Sequence, residues 1–279
     1  VSRRHHHPQL PQPNNMIIQL TTCQAINTHA VTEAIARYLS EQLEIETRFV
    51  IEPPWEECLQ YVLAGKIQIG WMCGYPYVQT MAKPEPPVEL LALPVFAGER
   101  YENRPVYFSD VVVRQDSPIT KFEELRGTVW AYNEAGSQSG YHIARYKLAQ
   151  LGANGDFFRK IVASGGHLRS LQMVLAGEAD SAAIDSTVMD AALRDERDLV
   201  NQISIVEVLG PSPIPPWVIH KCVPVPLRQS IRQALTQMHL NSAGREVLAV
   251  GEMVRFDTAV DTHYDPIRQM LQASQAVHL

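Results

Sequence analysis

Apolar residues recur along the chain with two alternating periods, short β-like runs and longer stretches at helical spacing. Residues 16–20 (Met-Ile-Ile-Gln-Leu) predict a strand, and residues 31–43 a helix with Ile35, Leu39 and Leu43 on one face. A strand at 47–51, a helix at 55–64 and a strand at 67–71 follow. Beyond a loop marked by Pro84, Pro86 and Pro87, residues 107–114 are strongly β-prone. The alternation then resumes with a strand at 129–132, a helix through Ala144, Leu148 and Leu151 stopped by Gly152, and a strand at 158–163. A helix at 168–176, a strand at 181–185 and a helical stretch to Leu199 complete this half. Such alternation predicts an α/β fold with a mainly parallel sheet and helices on its faces.

Residues 203–209 are again β-like, and Pro211, Pro213, Pro215 and Pro216 then enforce an extended passage into Trp217-Val-Ile. From Val225 onward the pattern is helical, with Ile231, Leu235, Met238 and Leu248 apolar. Val62-Leu-Ala-Gly65 is echoed by Val174-Leu-Ala-Gly177 in the same context of helix end, glycine stop and strand. Two similar lobes are expected, one from residues 16–108 with 218–279 and one from 109–217, with crossings near 105–112 and 205–220. A ligand cleft then falls between them, near the carboxyl ends of strands. Residues 1–15, rich in Pro, Gln, Asn and His, read as a disordered leader or tag remnant, so His5, His6 and His7 receive no site role.

Composition narrows the function. A net charge of −6 without concentrated Lys and Arg argues against a nucleic-acid partner. Cys23, Cys58, Cys73 and Cys222 lack C-x-x-C spacing, so neither a zinc cage nor a dense disulfide framework is expected, and no cofactor is implied. No apolar run approaches the ~18 residues of a membrane span, and the first residues contain no signal-peptide hydrophobic core.

The richest chemistry lies in Trp130-Ala-Tyr-Asn-Glu-Ala-Gly-Ser137-Gln138-Ser139-Gly140, an apolar strand that breaks into a hydroxyl-rich turn opening a helix. Unpaired N–H groups and the positive end of the helix dipole make that turn a cradle for an oxyanion. Taken alone, Ser137 or Ser139 also reads as a simple N-cap. A second junction, Ser164-Gly-Gly166-His167, sets His167 at a helix start, where it either caps or offers an N–H to an oxyanion. Asp185, at its strand end, either caps the next helix or accepts a proton from a ligand oxygen. Tyr75, in Cys73-Gly-Tyr-Pro-Tyr77, reads either as first-lobe cleft wall or as a packed loop residue.

These motifs, with Ala176-Gly-Glu-Ala-Asp180-Ser-Ala-Ala-Ile-Asp185, residues 107–118 and Phe122-Glu-Glu-Leu-Arg-Gly127, resemble the phosphonate-type periplasmic substrate-binding proteins of ABC importers across roughly residues 16–250. The resemblance implies a type II binding-protein fold: two α/β lobes, joined by two crossing segments, that close on a phosphonate, phosphite or phosphate-like anion. It also implies delivery to a membrane permease, a periplasmic or other extracytoplasmic home, and a monomer without enzymatic activity. Carried across by motif, the family's serine turn falls on Ser137, Gln138 and Ser139, its anion-binding histidine on His167, and its crossing-strand tyrosine on Tyr107. Trp55 stands where the family has a second tyrosine, and the acidic residue that grips an aminoalkyl group in some members has no counterpart in Pro213-Ile-Pro-Pro-Trp217.

Two rival functions use the same residues. Ser139, His167 and Asp185 supply the residue types of a serine hydrolase, although Gly136-Ser-Gln-Ser139-Gly140 lacks the G-x-S-x-G spacing. Trp55, Trp71 and Tyr75 could instead wall a site that binds or senses a small aromatic or heterocyclic molecule.

Overall fold

The computed structural model describes residues 17–51 and 55–279, without the side chains of Trp55 and Glu56. The leader expected at 1–15 lies outside the described residues. The chain runs through β1 (Ile18–Thr22), α1 (His29–Leu43), β2 (Thr47–Phe49), α2 (Trp55–Leu63), β3 (Ile69–Trp71), α3 (Gly74–Met81) and β4 (Val88–Phe96). It continues through β5 (Val106–Arg114), β6 (Val129–Tyr132), α4 (Ile143–Gln150), β7 (Lys160–Ala163), α5 (His167–Leu175), β8 (Ser181–Asp185), α6 (Ser186–Asp195) and β9 (Ile203–Pro213). The last part comprises β10 (Trp217–His220), α7 (Val225–Gln237), α8 (Ser242–Val250), β11 (Met253–Asp257) and α9 (Asp265–Ala273).

Two sheets form, each the centre of a lobe: six strands in the order β11-β4-β10-β3-β1-β2, and five in the order β7-β6-β8-β5-β9. The expectation of mainly parallel sheets is corrected. Only β1 with β2 and β3, and β6 with β7 and β8, pair in parallel. β10 with β3 and β4, β11 with β4, and β5 with β8 and β9 are antiparallel. A chain that leaves one lobe and later returns inserts its crossing strands against the direction of the βαβ units. β4 therefore leads out to β5, and β9 leads back to β10.

Sequence periodicity explains the second lobe well. Val111 and Val113 of β5 enter the core on one sheet face, and Val112 enters the core on the other, as a period of two requires. The repeated Val-Leu-Ala-Gly does the same work twice. Gly65 follows α2 at φ 71° and Gly177 follows α5 at φ 73°, the left-handed conformation that ends a helix most easily at glycine. Three elements were not anticipated. α3 begins with Gly74-Tyr-Pro, which reads as a turn; β4 is a buried apolar run without alternation; β11 interrupts a stretch whose spacing looked helical.

After β11 the chain returns to the second lobe. Tyr264 and Ile267 belong to the first-lobe core, whereas Val277 is buried in the second-lobe core. Arg145 of α4 clamps the returning tail by donating to the Val277 carbonyl at 2.8 Å and the Ser274 carbonyl at 2.9 Å.

Candidate functional site

A cleft of about 250 Å³ lies between the sheets, at the carboxyl ends of β1, β3, β6 and β8. The first lobe contributes Thr22, Cys23, Trp71 and Cys73, the second Asn133, Ser137, Ser139, His167 and Asp185.

The serine turn is wider than an α-turn. Residues Gln138–His142 form a π-helical turn in which the Ser137 carbonyl accepts the His142 N–H at 3.0 Å before α4 continues. Ser137 caps that turn by accepting the Gly140 N–H at 3.0 Å. Ser139 instead turns its hydroxyl across to α5, 3.0 Å from His167 Nε2 and 3.5 Å from the Ser137 hydroxyl. Gly140 is required by this geometry, because a Cβ there would stand 1.8 Å from Asn133 Oδ1 and 3.2 Å from the His167 ring.

Asn133 and β8 fix the imidazole. Asn133 Nδ2 stands 3.2 Å from His167 Nε2, while Nδ1 faces the Ala183 carbonyl and lies 3.4 Å from the Asp185 N–H. Burial holds the His167 pKa down to about 4, so the free protein carries a neutral imidazole at pH 7.

Asp185 caps α6: its Oδ1 accepts the Thr187 N–H at 2.8 Å and the Thr187 hydroxyl at 2.7 Å. Burial raises its pKa to about 6 despite those hydrogen bonds. Its carboxylate does not orient His167, so Ser139, His167 and Asp185 are neighbours without forming a hydrolase relay.

The remaining residues singled out from sequence are dispersed. Tyr107, on β5, is buried outside the cleft wall, near Cys73 and Asp185, with its hydroxyl beside Ser139 but in no well-formed hydrogen bond. The Gln138 side chain turns away from the cleft to donate to Met270 Sδ at 3.4 Å. Tyr75 lies on α3, stacked on His142 of the other lobe with centroids 3.7 Å apart, and does not line the cleft. The Trp55 side chain lies outside the described residues.

Sequence reasoning passed over Asn133 and three cysteines, Cys23, Cys58 and Cys73, all on the cleft wall. Position could have found them: Asn133 and Cys23 immediately follow β6 and β1, and Cys73 follows β3 by one residue. Among the described residues the wall holds no Lys or Arg, and its carboxylates are those of Glu134 and Asp185. Its other histidine, His29, also has a pKa lowered by burial. Any anion here meets hydroxyls, amides and an imidazole rather than fixed cations.

The family model described as "ABC transporter, phosphonate, periplasmic substrate-binding protein" matches residues 20–264. Among solved structures, a binding protein component of an ABC phosphonate transporter from Pseudomonas aeruginosa superposes with a TM-score of 0.82 at 18% identity, covering 93% of this chain and 86% of that one. PhnD1 from Prochlorococcus marinus, in complex with methylphosphonate, superposes with a TM-score of 0.81 at 15% identity, covering 95% and 100% of the two chains. The periplasmic aliphatic sulphonate binding protein SsuA from Escherichia coli gives 0.61 at 14% identity, covering 93% and 86%. The two-lobed architecture is therefore that of type II periplasmic binding proteins.

Proposed function

The chain belongs to the periplasmic phosphonate-binding family of ABC transporters, and from that premise we propose that Ser137, Ser139, His167 and Tyr107 hold the oxyanion head of its ligand. The observation that carries this reading is the pairing of the Ser139 hydroxyl with His167 Nε2 at 3.0 Å, beside the buried Tyr107 hydroxyl, which makes no well-formed hydrogen bond. An unmade buried hydrogen bond costs about 1–3 kcal/mol, which a ligand oxygen would recover. Neutral donors suffice for an anion once the lobes shut out water, because each charge-assisted hydrogen bond is worth roughly 1.5–3 kcal/mol. Asp185, with one oxygen taken by Thr187, offers the other to a protonated ligand oxygen. The apolar side of the cleft, with Leu59, Trp71 and Phe96, suits a short uncharged substituent.

The same reading assigns the protein to capture rather than turnover, as a monomer that hands its ligand to a membrane permease outside the cytoplasm and has no nucleic-acid partner. Among the described residues His167 bonds to Asn133, Ser139 and backbone groups rather than to a carboxylate, which supports a non-catalytic role. For the lobes we propose residues 16–108 with 218–264, and 109–217, with 265–279 spanning both; the burial of Val277 among second-lobe residues supports this division.

Thermal-shift and calorimetric titration with methylphosphonate, phosphite, phosphate and sulfate tests the proposal. A phosphorus oxyanion should bind near or below ~1 µM, and at a hundredfold excess over Kd should stabilise the fold by about 2.7 kcal/mol. Silence toward all four, with a shift from an aromatic heterocycle, would favour the organic-ligand reading.

A further inference from the structure

Asp185 stands at the carboxyl end of β8, on the cleft wall and only 7% exposed. Among the described residues that wall holds no Lys or Arg to neutralise it. Its Oδ1 is committed to α6, accepting the Thr187 N–H at 2.8 Å and the Thr187 hydroxyl at 2.7 Å, and no described side chain donates to Oδ2. The His167 ring meets the Asp185 backbone N–H at 3.4 Å through Nδ1, while its Nε2 lies 3.0 Å from the Ser139 hydroxyl. One imidazole therefore separates Asp185 from the serine turn, and all three line the same cleft. On the premise that the serine turn holds an oxyanion, we propose that Asp185 makes the cleft selective for phosphorus oxyanions that keep a proton, and against sulfonates and sulfate, which have none to give.

The serine turn cannot make this choice. Phosphorus and sulfur oxyanions are tetrahedral anions of similar size, and they present like oxygens to Ser137, Ser139 and His167. Their protons differ: an alkylphosphonate keeps a large share of its second proton at neutral pH, whereas a sulfonate is fully ionised. The P–OH of the monoanion donates to Asp185 Oδ2 in a charge-assisted hydrogen bond. A sulfonate sets a bare oxygen against the carboxylate, with neither proton nor cation between them, in a cleft where water screens poorly. It is admitted only when Asp185 takes a proton from solvent, which at pH 7.5, with the carboxyl titrating at about 6, weakens binding roughly thirtyfold. Of the two carboxylates on the wall, Asp185 is the one buried and held in place by Thr187, whereas Glu134 is half-buried.

Calorimetry on the full chain at pH 7.5 compares methylphosphonate with methanesulfonate, and phosphate with sulfate, each pair alike in shape and different in its proton. The native chain should bind the phosphorus member of at least one pair about thirtyfold or more tightly than its sulfur counterpart. In Asp185→Asn the amide oxygen still caps α6 and the amide N–H meets either ligand, so the sulfur member should gain at least about tenfold and the preference should fall to about fivefold or less. Melting curves check the fold, and Asp185→Ser, which also keeps a capping oxygen, gives the same comparison should the Asn variant not fold. Equal affinities within each pair in the native chain, a preference unchanged in the Asp185 variant, or a preference lost in Glu134→Gln instead would overturn the proposal and leave the oxyanion cradle standing. A native chain that binds none of the four refutes the cradle itself, and the selectivity falls with it.

Discussion

Removing one hydroxyl separates binding from folding at this site. In Ser139→Ala the lost atom contacts His167 Nε2 at 3.0 Å and the Ser137 hydroxyl at 3.5 Å. The imidazole keeps its Asn133 neighbour at 3.2 Å, and Ser137 keeps the Gly140 N–H, leaving the Tyr107 hydroxyl as the buried group beside the lost atom. The stability cost is then that of one net hydrogen bond, about 0.5–1.5 kcal/mol. Against a bound oxyanion the same hydroxyl makes a charge-assisted bond worth about 1.5–3 kcal/mol, or one to two decades in Kd at about 1.4 kcal/mol per decade. Urea denaturation and calorimetry on one preparation give both numbers. Ser181→Ala is the binding control: its hydroxyl is buried in the second lobe without a hydrogen-bond partner, so Kd should stay near wild type while stability does not fall. A Kd within twofold of wild type for Ser139→Ala, in a chain that still binds its anion, would refute the cradle.

Two further outcomes follow from local geometry. Gly140→Ala forces a Cβ to within 1.8 Å of Asn133 Oδ1, so Asn133 must swing off His167; unfolding should become easier by about 1–3 kcal/mol and oxyanion binding should weaken with it, and a variant as stable and tight as wild type would contradict the packing. Asp185 has a folded pKa of about 6 against an ordinary 3.8, so between those values the native chain holds a proton that the unfolded chain releases, and stability falls as pH rises through this window. Asp185→Asn should therefore be more stable than wild type above about pH 6, by up to about 3 kcal/mol, with the difference vanishing near pH 4 in thermal melts; a difference independent of pH would sink the burial argument.

Most of the strand and helix alternation was legible because buried faces impose a period on the sequence, as Val111, Val112 and Val113 show. The serine turn and His167 were legible for a related reason: both stand where an apolar strand breaks into a helix start. What stayed hidden was set by the partner across the gap. Tyr75 reads as cleft wall or packed loop residue until His142 of the other lobe stacks on it, and Gln138 reads as an anion donor until Met270 draws it aside. The cysteines lack C-x-x-C spacing, yet two strand ends and a helix from distant segments bring Cys23, Cys73 and Cys58 to one wall. Strand direction was misjudged because local alternation carries no record of a chain that departs and returns.

The returning tail changes what opening can mean. With Tyr264 anchored in one core and Val277 in the other, a third tether runs beside the two crossings, and the lobes are joined as a tripod rather than as a simple clasp. Rotation that separates the cleft walls must also be taken up within the span between those anchors.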